Sequence, residues 1–484
     1  MEIEIKNFGP IDYLKFDLKK DFHLIYGQNS IGKSYATYCL YCLLKNLRNK
    51  FSLFSFKIYD LNFEKQYEKL ISAKVKKVEV NSTINFTRDY NKIIQNELKA
   101  LVLEVIHNSF KNSFSSLKNL RNRYSDKDFE LIIAISENEK IIIFLNNEGT
   151  LDLKYFGEFN KIEIVHKELK SSSKFLLLYN GIEAGSNTNE KKFSQLISLK
   201  LTINIFQFLT NLDDKIVDIH YLPASRSGLY EALNSFTPII AELTQNRFFM
   251  QNKSIELPSL SDPVSDYFLD LSTVDKKHIN KEFEPIIDLI QTNIIKGNVE
   301  YNDITKKIIY KPDGTDLELN LSEASSMVAE LSPLVLYLRH ILNNKHLSSN
   351  RAEYLSFQNE LIPKKSKKER GYDILFIEEP EAHLHPEVQV ELIEIFAKLS
   401  ALKLKIFITT HSNYMFNKLN NLIIKNEIDQ NKLCVYHLVK SKNGTTVNNE
   451  MEVSEFGISD DNFQEVSEKL YNERFNYLEG EYAG

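Results

Sequence analysis

Gly27-Gln28-Asn29-Ser30-Ile31-Gly32-Lys33-Ser34 decides how this chain is read. Apolar residues precede it (Phe22, Leu24, Ile25, Tyr26), and Tyr35, Cys39, Leu40, Leu43 and Leu44 follow at helical spacing. The stretch is a complete G-x-x-x-x-G-K-[ST] pattern in the strand–loop–helix context its chemistry requires. Gly27 and Gly32 let the backbone N–H groups of the loop curl around an anion, and the new helix points its positive end at the same charge. Lys33 reaches the β- and γ-phosphates of a nucleotide, and Ser34 offers a hydroxyl to Mg2+. Gln28, Asn29, Ser30, Ile31 and Tyr35 complete the expected contact with the nucleotide. The plain alternative is a chance match in a glycine-containing turn. With only 15 glycines in 484 residues, two at this spacing before Lys-Ser argue against it.

A second constellation lies far downstream. Ile374-Leu375-Phe376-Ile377 reads as a strand buried on both faces of a parallel sheet. It runs into Glu378-Glu379-Pro380-Glu381-Ala382-His383-Leu384-His385-Pro386. Acids at the C-terminal end of such a strand sit where α/β sheets bind ligands. Buried carboxylates are costly without a cation or a proton to offset them. One carboxylate can hold the Mg2+ shell and its neighbour can polarise an attacking water; the leading hypothesis gives Glu378 the first role and Glu379 the second. An acid-rich helix start, favoured by the helix dipole, accounts for Glu381 and Glu387 but not for Glu378, which still belongs to the strand. Pro386 suits a first helical position. A further apolar strand (Leu404, Ile406, Phe407, Ile408) leads to Thr409-Thr410-His411-Ser412. A lone histidine is usually structural. His411, one strand after the paired acids, is placed to hydrogen-bond a γ-phosphate and sense its loss.

Together these residues resemble the ABC-type ATPase heads of the SMC, RecF and OLD lineage, an α/β P-loop fold with a mixed-sheet core. Residues 2–11, Glu-Ile-Glu-Ile-Lys-Asn-Phe-Gly-Pro-Ile, look like the opening strand of RecF-like heads. Residues 221–228, Tyr-Leu-Pro-Ala-Ser-Arg-Ser-Gly, look like the family's Leu-Pro-Ala-x-Arg-Ser segment. Glu-Glu-Pro-Glu-Ala-His-Leu-His-Pro is similar to its usual acid motif, with Glu378 where many relatives carry Asp. The narrower resemblance is to the compact AAA_15/AAA_21-type ATPases of bacterial anti-phage defence pairs of the PARIS or Septu type. It implies Mg2+-dependent ATP hydrolysis, with ATP held between two copies in a homodimer or larger homo-oligomer. It also implies a partner effector, such as a Toprim-like or HNH-like nuclease, under the control of a phage trigger protein. In the family, a Ser-Ser-Gly signature at a helix start touches the γ-phosphate bound by a second subunit. Here Ser325-Ser326-Met327 stands in that place, ahead of a helix built on Val328, Leu331, Leu334, Val335 and Leu338. Capping of that helix by Ser325 or Ser326 is the plain reading. Met327 in place of glycine argues against close backbone approach, and so for slow hydrolysis or for a dimer that mainly holds ATP.

Composition sets further bounds. The chain exceeds one ordinary domain of ~100–200 residues, and 43% hydrophobic residues are ample for a core. A formal net charge of −6 advertises no global basic field for nucleic acid. The one dense basic run, Lys364-Lys365-Ser366-Lys367-Lys368-Glu369-Arg370, is either a solvated loop or a contact for nucleic acid or an acidic partner. Three cysteines fit a reducing compartment without disulfides. Cys39 and Cys42 lack a second Cys/His pair at zinc spacing and read as helix packing. With no signal peptide and no apolar span of ~20 residues, a cytoplasmic location away from membranes is expected.

The expected layout is an ATPase head formed by 1–50 and 216–484, with a signature-helix lobe at about 229–345, and a compact α/β insertion at 51–215. Helix is expected over much of 60–120, strands over 129–168, another helix at 192–212 and a closing helix at 462–479. Heptads sustained over many turns, which a coiled-coil arm needs, do not occur. Pro312-Asp313-Gly314 signals a turn within a strand–turn–strand approach to the signature helix. Arg226 is left with two readings, an anion contact across a subunit boundary or a structural salt bridge. The stretch from Ser412 to Gly484 looks too short for a fused Toprim-type nuclease, which places any such activity in a partner. Two rival readings stand beside the defence ATPase: a RecF-like DNA-repair ATPase, and a non-hydrolysing scaffold that uses ATP as structural glue. A P-loop kinase would need neither the signature helix nor His411.

Overall fold

The computed structural model describes the chain apart from residues 59–61, 170–171, 214–215, 234–259, 343–370, 449–450, 460–463 and 483–484. The basic run at 364–370 thus lies outside the described residues. The chain divides into two compact units. One holds the described residues of Met1–Lys19 and Tyr38–Asp218, the other those of Lys20–Thr37, Ile219–Asn344 and Tyr372–Gly484. The dividing line differs from the expected layout at the N-terminus. Glu2–Phe8 pairs with both Ile11–Asp17 and Glu130–Ala134, which ties the opening hairpin to strands of the 51–215 segment.

The first unit is antiparallel in its strands. Ile11–Asp17, Glu2–Phe8, Glu130–Ala134, Lys140–Leu145 and Leu151–Phe156 lie side by side in that order. A second sheet runs Ile182–Asn187, Ser172–Tyr179, Ile162–Leu169, Ser82–Asn85. Its helices include Asn62–Val75, Thr87–Leu98, Glu104–Phe114 and Glu190–Asp213. The longest described helix, Lys33–Ile58, has 26 residues, and no coiled-coil arm occurs among the described residues. Cys39 and Cys42 on that helix are fully buried, and Cys42 Sγ lies 3.2 Å from Ser113 Oγ.

The second unit is built on four parallel strands in the order Tyr372–Glu378, Leu404–Thr410, Phe22–Gly27, Leu433–Ser441. Gly444–Val447 adds an antiparallel neighbour to the last of these, and the strand Ile216–Leu222, which belongs to this unit from Ile219 on, borders the first. Every residue of Phe22–Gly27 and Leu404–Thr410 is buried, which is why apolar residues follow one another there without alternation, His23, Lys405, Thr409 and Thr410 being the buried polar members. Register then aligns the C-terminal strand ends. Glu378 sits opposite Thr409, Thr410 opposite Tyr26, and Leu438 opposite Gly27. The core is a mixed sheet within an α/β fold.

A three-stranded antiparallel sheet (Gly297–Asn302, Lys307–Pro312, Leu319–Asn320) leads into the signature helix Ser326–Leu336. That helix is buried from Val328 to Leu336. The last helix, Gln464–Tyr482, leaves the apolar Leu470, Tyr471 and Phe475 exposed rather than closing them onto the core.

Candidate functional site

The phosphate loop follows from its glycines. Gly27 has φ +145° and Gly32 φ +105°, both in the left-handed half of the map that favours glycine. At Gly27 there is also no room, since a Cβ would lie 2.6 Å from the carbonyl oxygen of Leu438 on the neighbouring parallel strand. Ser30 takes φ +59° at the crest. Gln28, Asn29 and Ser30 are exposed, whereas Ile31 is buried and its carbonyl accepts from Thr445 Oγ1 at 2.6 Å. The helix begins at Lys33. Thr37, one turn in, meets Tyr221 OH at 2.9 Å.

Lys33 is 6% exposed. Its Nζ donates to the carbonyls of Gly27 and Gln28, both at 3.1 Å, and lies 2.6 Å from His411 Nε2. Burial pulls the ammonium down to about 8, while the charges of Glu379, Glu381 and Glu378 pull it up. Burial also lowers His411, helped by the Lys33 charge and opposed by Glu379, whose Oε1 is 3.6 Å from Nε2. A neutral imidazole accepting from the ammonium satisfies both shifts.

Glu378 ends its strand 5% exposed, with its carboxyl raised by burial. The hydroxyls of Ser34 and Tyr221 and the N–H of Ala224 donate to it and oppose that shift. Its Oε1 is nonetheless buried without a partner. Glu379 follows in a left-handed conformation (φ +42°), its N–H on Thr409 O at 2.9 Å. Gly27–Ser34, Glu378, Glu379 and His411 thus converge at the ends of adjacent strands. Ser325 and Ser326 are not part of that cluster. Ser325 caps the signature helix by accepting from Val328 N at 3.4 Å, Ser326 is the first helical residue, and both are exposed. Met327 is partly buried against the core.

The comparisons with known proteins fall beside this geometry. A family model described as AAA ATPase domain, AAA_15, matches residues 1–416. The chain belongs to this family. No individually curated protein matches it. Among solved structures it is similar to an Smc head bound to the C-terminal winged-helix domain of ScpA, at 13% identity and TM-score 0.33, covering 92% of this chain and 96% of that one. It is also similar to the SMC head domain from Thermotoga maritima (10%, TM-score 0.31, 92% and 97%). A third likeness is to an Smc head with an extended coiled coil bound to the C-terminal domain of ScpA from Pyrococcus furiosus (12%, TM-score 0.32, 98% and 98%). Scores of this size leave the fold to be argued from strand order and from the family match.

One residue of this AAA ATPase domain takes a place other than the one the sequence offered, and a second takes one of its two. Glu381 belongs to no helix start, because the helix begins at Pro386 and Glu387 alone occupies its first turn. Glu381 Oε1 instead accepts from the His411 N–H at 2.6 Å and from Thr410 Oγ1 at 2.8 Å, so it clamps the turn that carries the histidine. Burial raises its carboxyl. Arg226 is 2% exposed and pairs with Glu330 of its own chain, Nη2 to Oε2 at 3.2 Å, which decides for the salt bridge. Thr445 lies in no motif, and Tyr221, though it opens the 221–228 segment, carries no sequence signal for its contacts with Thr37 and Glu378.

The donor set fits a small divalent cation. A buried, unpartnered Glu378 oxygen beside the Ser34 hydroxyl supplies one hard anionic ligand and one neutral one. Among the described residues no group of three or more His, Cys, Asp or Glu side chains is arranged to hold a metal unaided. Mg2+ commonly takes one or two protein ligands and completes its shell with water and phosphate oxygens.

Proposed function

We propose that this chain is an Mg2+-dependent ATP-binding and ATP-hydrolysing domain that assembles around ATP into a dimer or larger homo-oligomer and controls a partner protein. The observation that supports it best is the convergence of the Lys33 ammonium, the His411 ring and the unpartnered Glu378 oxygen at one end of the parallel strands. The N–H groups of residues 27–34 and Lys33 would cradle the phosphates. Ser34 and Glu378 would hold Mg2+, which neutralises the charge of the phosphate oxygens when bound. Glu379 would orient and deprotonate the attacking water, and His411, once Nε2 carries a proton, would exchange its bond to Lys33 for one donated to the γ-phosphate. Phosphoryl transfer asks little more of a protein than positioning and charge stabilisation. Ser325 and Ser326, exposed at a helix start, are suited to meet a phosphate presented by a second copy.

A role in anti-phage defence, with a Toprim-like or HNH-like nuclease as the effector and a phage protein as the trigger, rests on the resemblance of the motif set to defence ATPases. The cytoplasm suits three cysteines that form no disulfide; among the described residues no helix is long and apolar enough to cross a membrane. A second reading, ATP as structural glue without turnover, is favoured by Met327, whose packing against the core occupies the place of the family's glycine.

The test is nucleotide retention by three proteins. Wild type should bind ATP and release ADP, Lys33→Ala should bind neither, and Glu379→Gln should keep ATP in a stable oligomer without hydrolysing it. Undiminished ATP uptake by Lys33→Ala would refute the site. Retained ATP with no turnover in wild type would favour the scaffold.

A further inference from the structure

We infer that Arg226 is a positioning residue that ties the signature helix to the acid turn, so that the two halves of the ATP site move as one. This rests on the ATP-switch reading above and adds a device to it. The guanidinium is buried and spends all its donors inside the chain. Nε donates to Glu330 O at 3.1 Å, and Nη1 to Pro223 O at 3.1 Å and Glu378 O at 2.9 Å. Nη2 reaches Glu379 O at 3.5 Å and Glu330 Oε2 at 3.2 Å. Glu330 is wholly buried in the signature helix. Its carboxylate also accepts from the backbone N–H of Arg226 at 3.2 Å, from Ser227 N at 3.2 Å and from Ser227 Oγ at 2.6 Å.

One planar group therefore joins three segments: residues 223–227, where the chain enters a helix at Arg226, the helix that starts at Ser325–Ser326, and the backbone of Glu378 and Glu379. A buried ion pair is a poor way to add stability, since apolar residues of like volume often hold as well. What Arg adds is direction, because its fork has fixed geometry and several donors. The direction matters at Glu379, whose φ of +42° is unfavourable for a residue with a Cβ. Three bonds hold it there: its N–H on Thr409 O, and its carbonyl accepting from Ala382 N at 3.1 Å and from Arg226. A shift of the Glu379 carbonyl as the nucleotide is bound or cleaved would pass through Arg226 to Glu330, and so to the hydroxyls at the helix start.

The experiment uses Arg226→Lys, which keeps a cation for Glu330 but cannot reach all these acceptors together. The variant should fold and bind ATP about as wild type does. Its kcat should fall about 100-fold with little change in KM, the scale set by a loss of alignment. Hydrogen exchange gives a readout independent of turnover. Adding ATP and Mg2+ should protect the amides of 27–34 in both proteins, but those of 326–328 only in wild type. Glu330→Gln, which keeps the volume, should behave alike and serves if Arg226→Lys does not fold. The inference is overturned if 326–328 responds equally in the variant, or if kcat and ATP affinity fall together. A wild type without protection at 27–34 would overturn the ATP reading itself, and this inference with it.

Discussion

Replacing Lys33 with methionine should make the ligand-free protein more stable while abolishing its response to ATP. The ammonium is 6% exposed, and burial pulls it from its usual 10.5 to about 8. At 1.36 kcal/mol per pH unit, that difference corresponds to roughly 3 kcal/mol of unfavourable free energy carried by the folded state at pH 7. The bonds to the Gly27 and Gln28 carbonyls, worth about 1.5–3 kcal/mol each for a charged donor, are already weighed in that net shift, and water replaces them in an open loop. Methionine fills similar space without the charge, so the variant should gain up to about 3 kcal/mol. The pH dependence follows from the direction of the shift. Below about pH 8 both states of wild type bind the proton, and the full cost is present. Between about 8 and 10.5 the folded protein releases it first, the unfolded chain holds more protons, and wild-type stability rises. Urea unfolding of both proteins at pH 7 and pH 9.5 checks this, with Mg2+ and ATP added in a second series. ATP should raise the midpoint of wild type alone, by linkage of binding to folding. A variant less stable than wild type at pH 7, or an advantage that does not shrink by pH 9.5, would refute the reasoning and make Lys33 a structural clamp.

Two further outcomes are expected. Glu381→Ala removes the acceptor for the His411 N–H and for Thr410 Oγ1, leaving a buried donor at a cost of about 1–3 kcal/mol. Steady-state kinetics should show kcat reduced by about 10- to 100-fold through misplacement of His411, with ATP affinity retained; an unchanged kcat would remove Glu381 from the site. Gly27→Ala places a Cβ 2.6 Å from Leu438 O at a φ of +145°, so about 1–3 kcal/mol of backbone strain adds to the clash. Its unfolding midpoint and its ATP affinity should fall together, and a variant that keeps both would show that the loop has slack.

Much of the site is written in short, local patterns. The phosphate loop is legible because a turn at positive φ demands glycine whatever surrounds it. The acid and histidine strands are legible because burial on both faces favours apolar residues at successive positions, 374–377 in one and 406–408 in the other. Chain order then says which acids end which strand. The signature helix is legible in its spacing, and the structure places Ser325 as its cap. What the patterns leave open is the partner of each polar side chain.

The sequence by itself determined the strand–loop–helix grip, the carboxylates at a buried strand end and the α/β character, because backbone geometry and burial act over a few residues. Tertiary structure alone decided that Arg226 faces Glu330, 104 residues away, rather than a phosphate. It also decided that Glu381 holds the histidine turn rather than opening a helix, and that Thr445 anchors the loop across 414 residues. A residue type fixes what a side chain can bond. Only the packing of distant segments brings the bond within reach and removes the water that would compete for it.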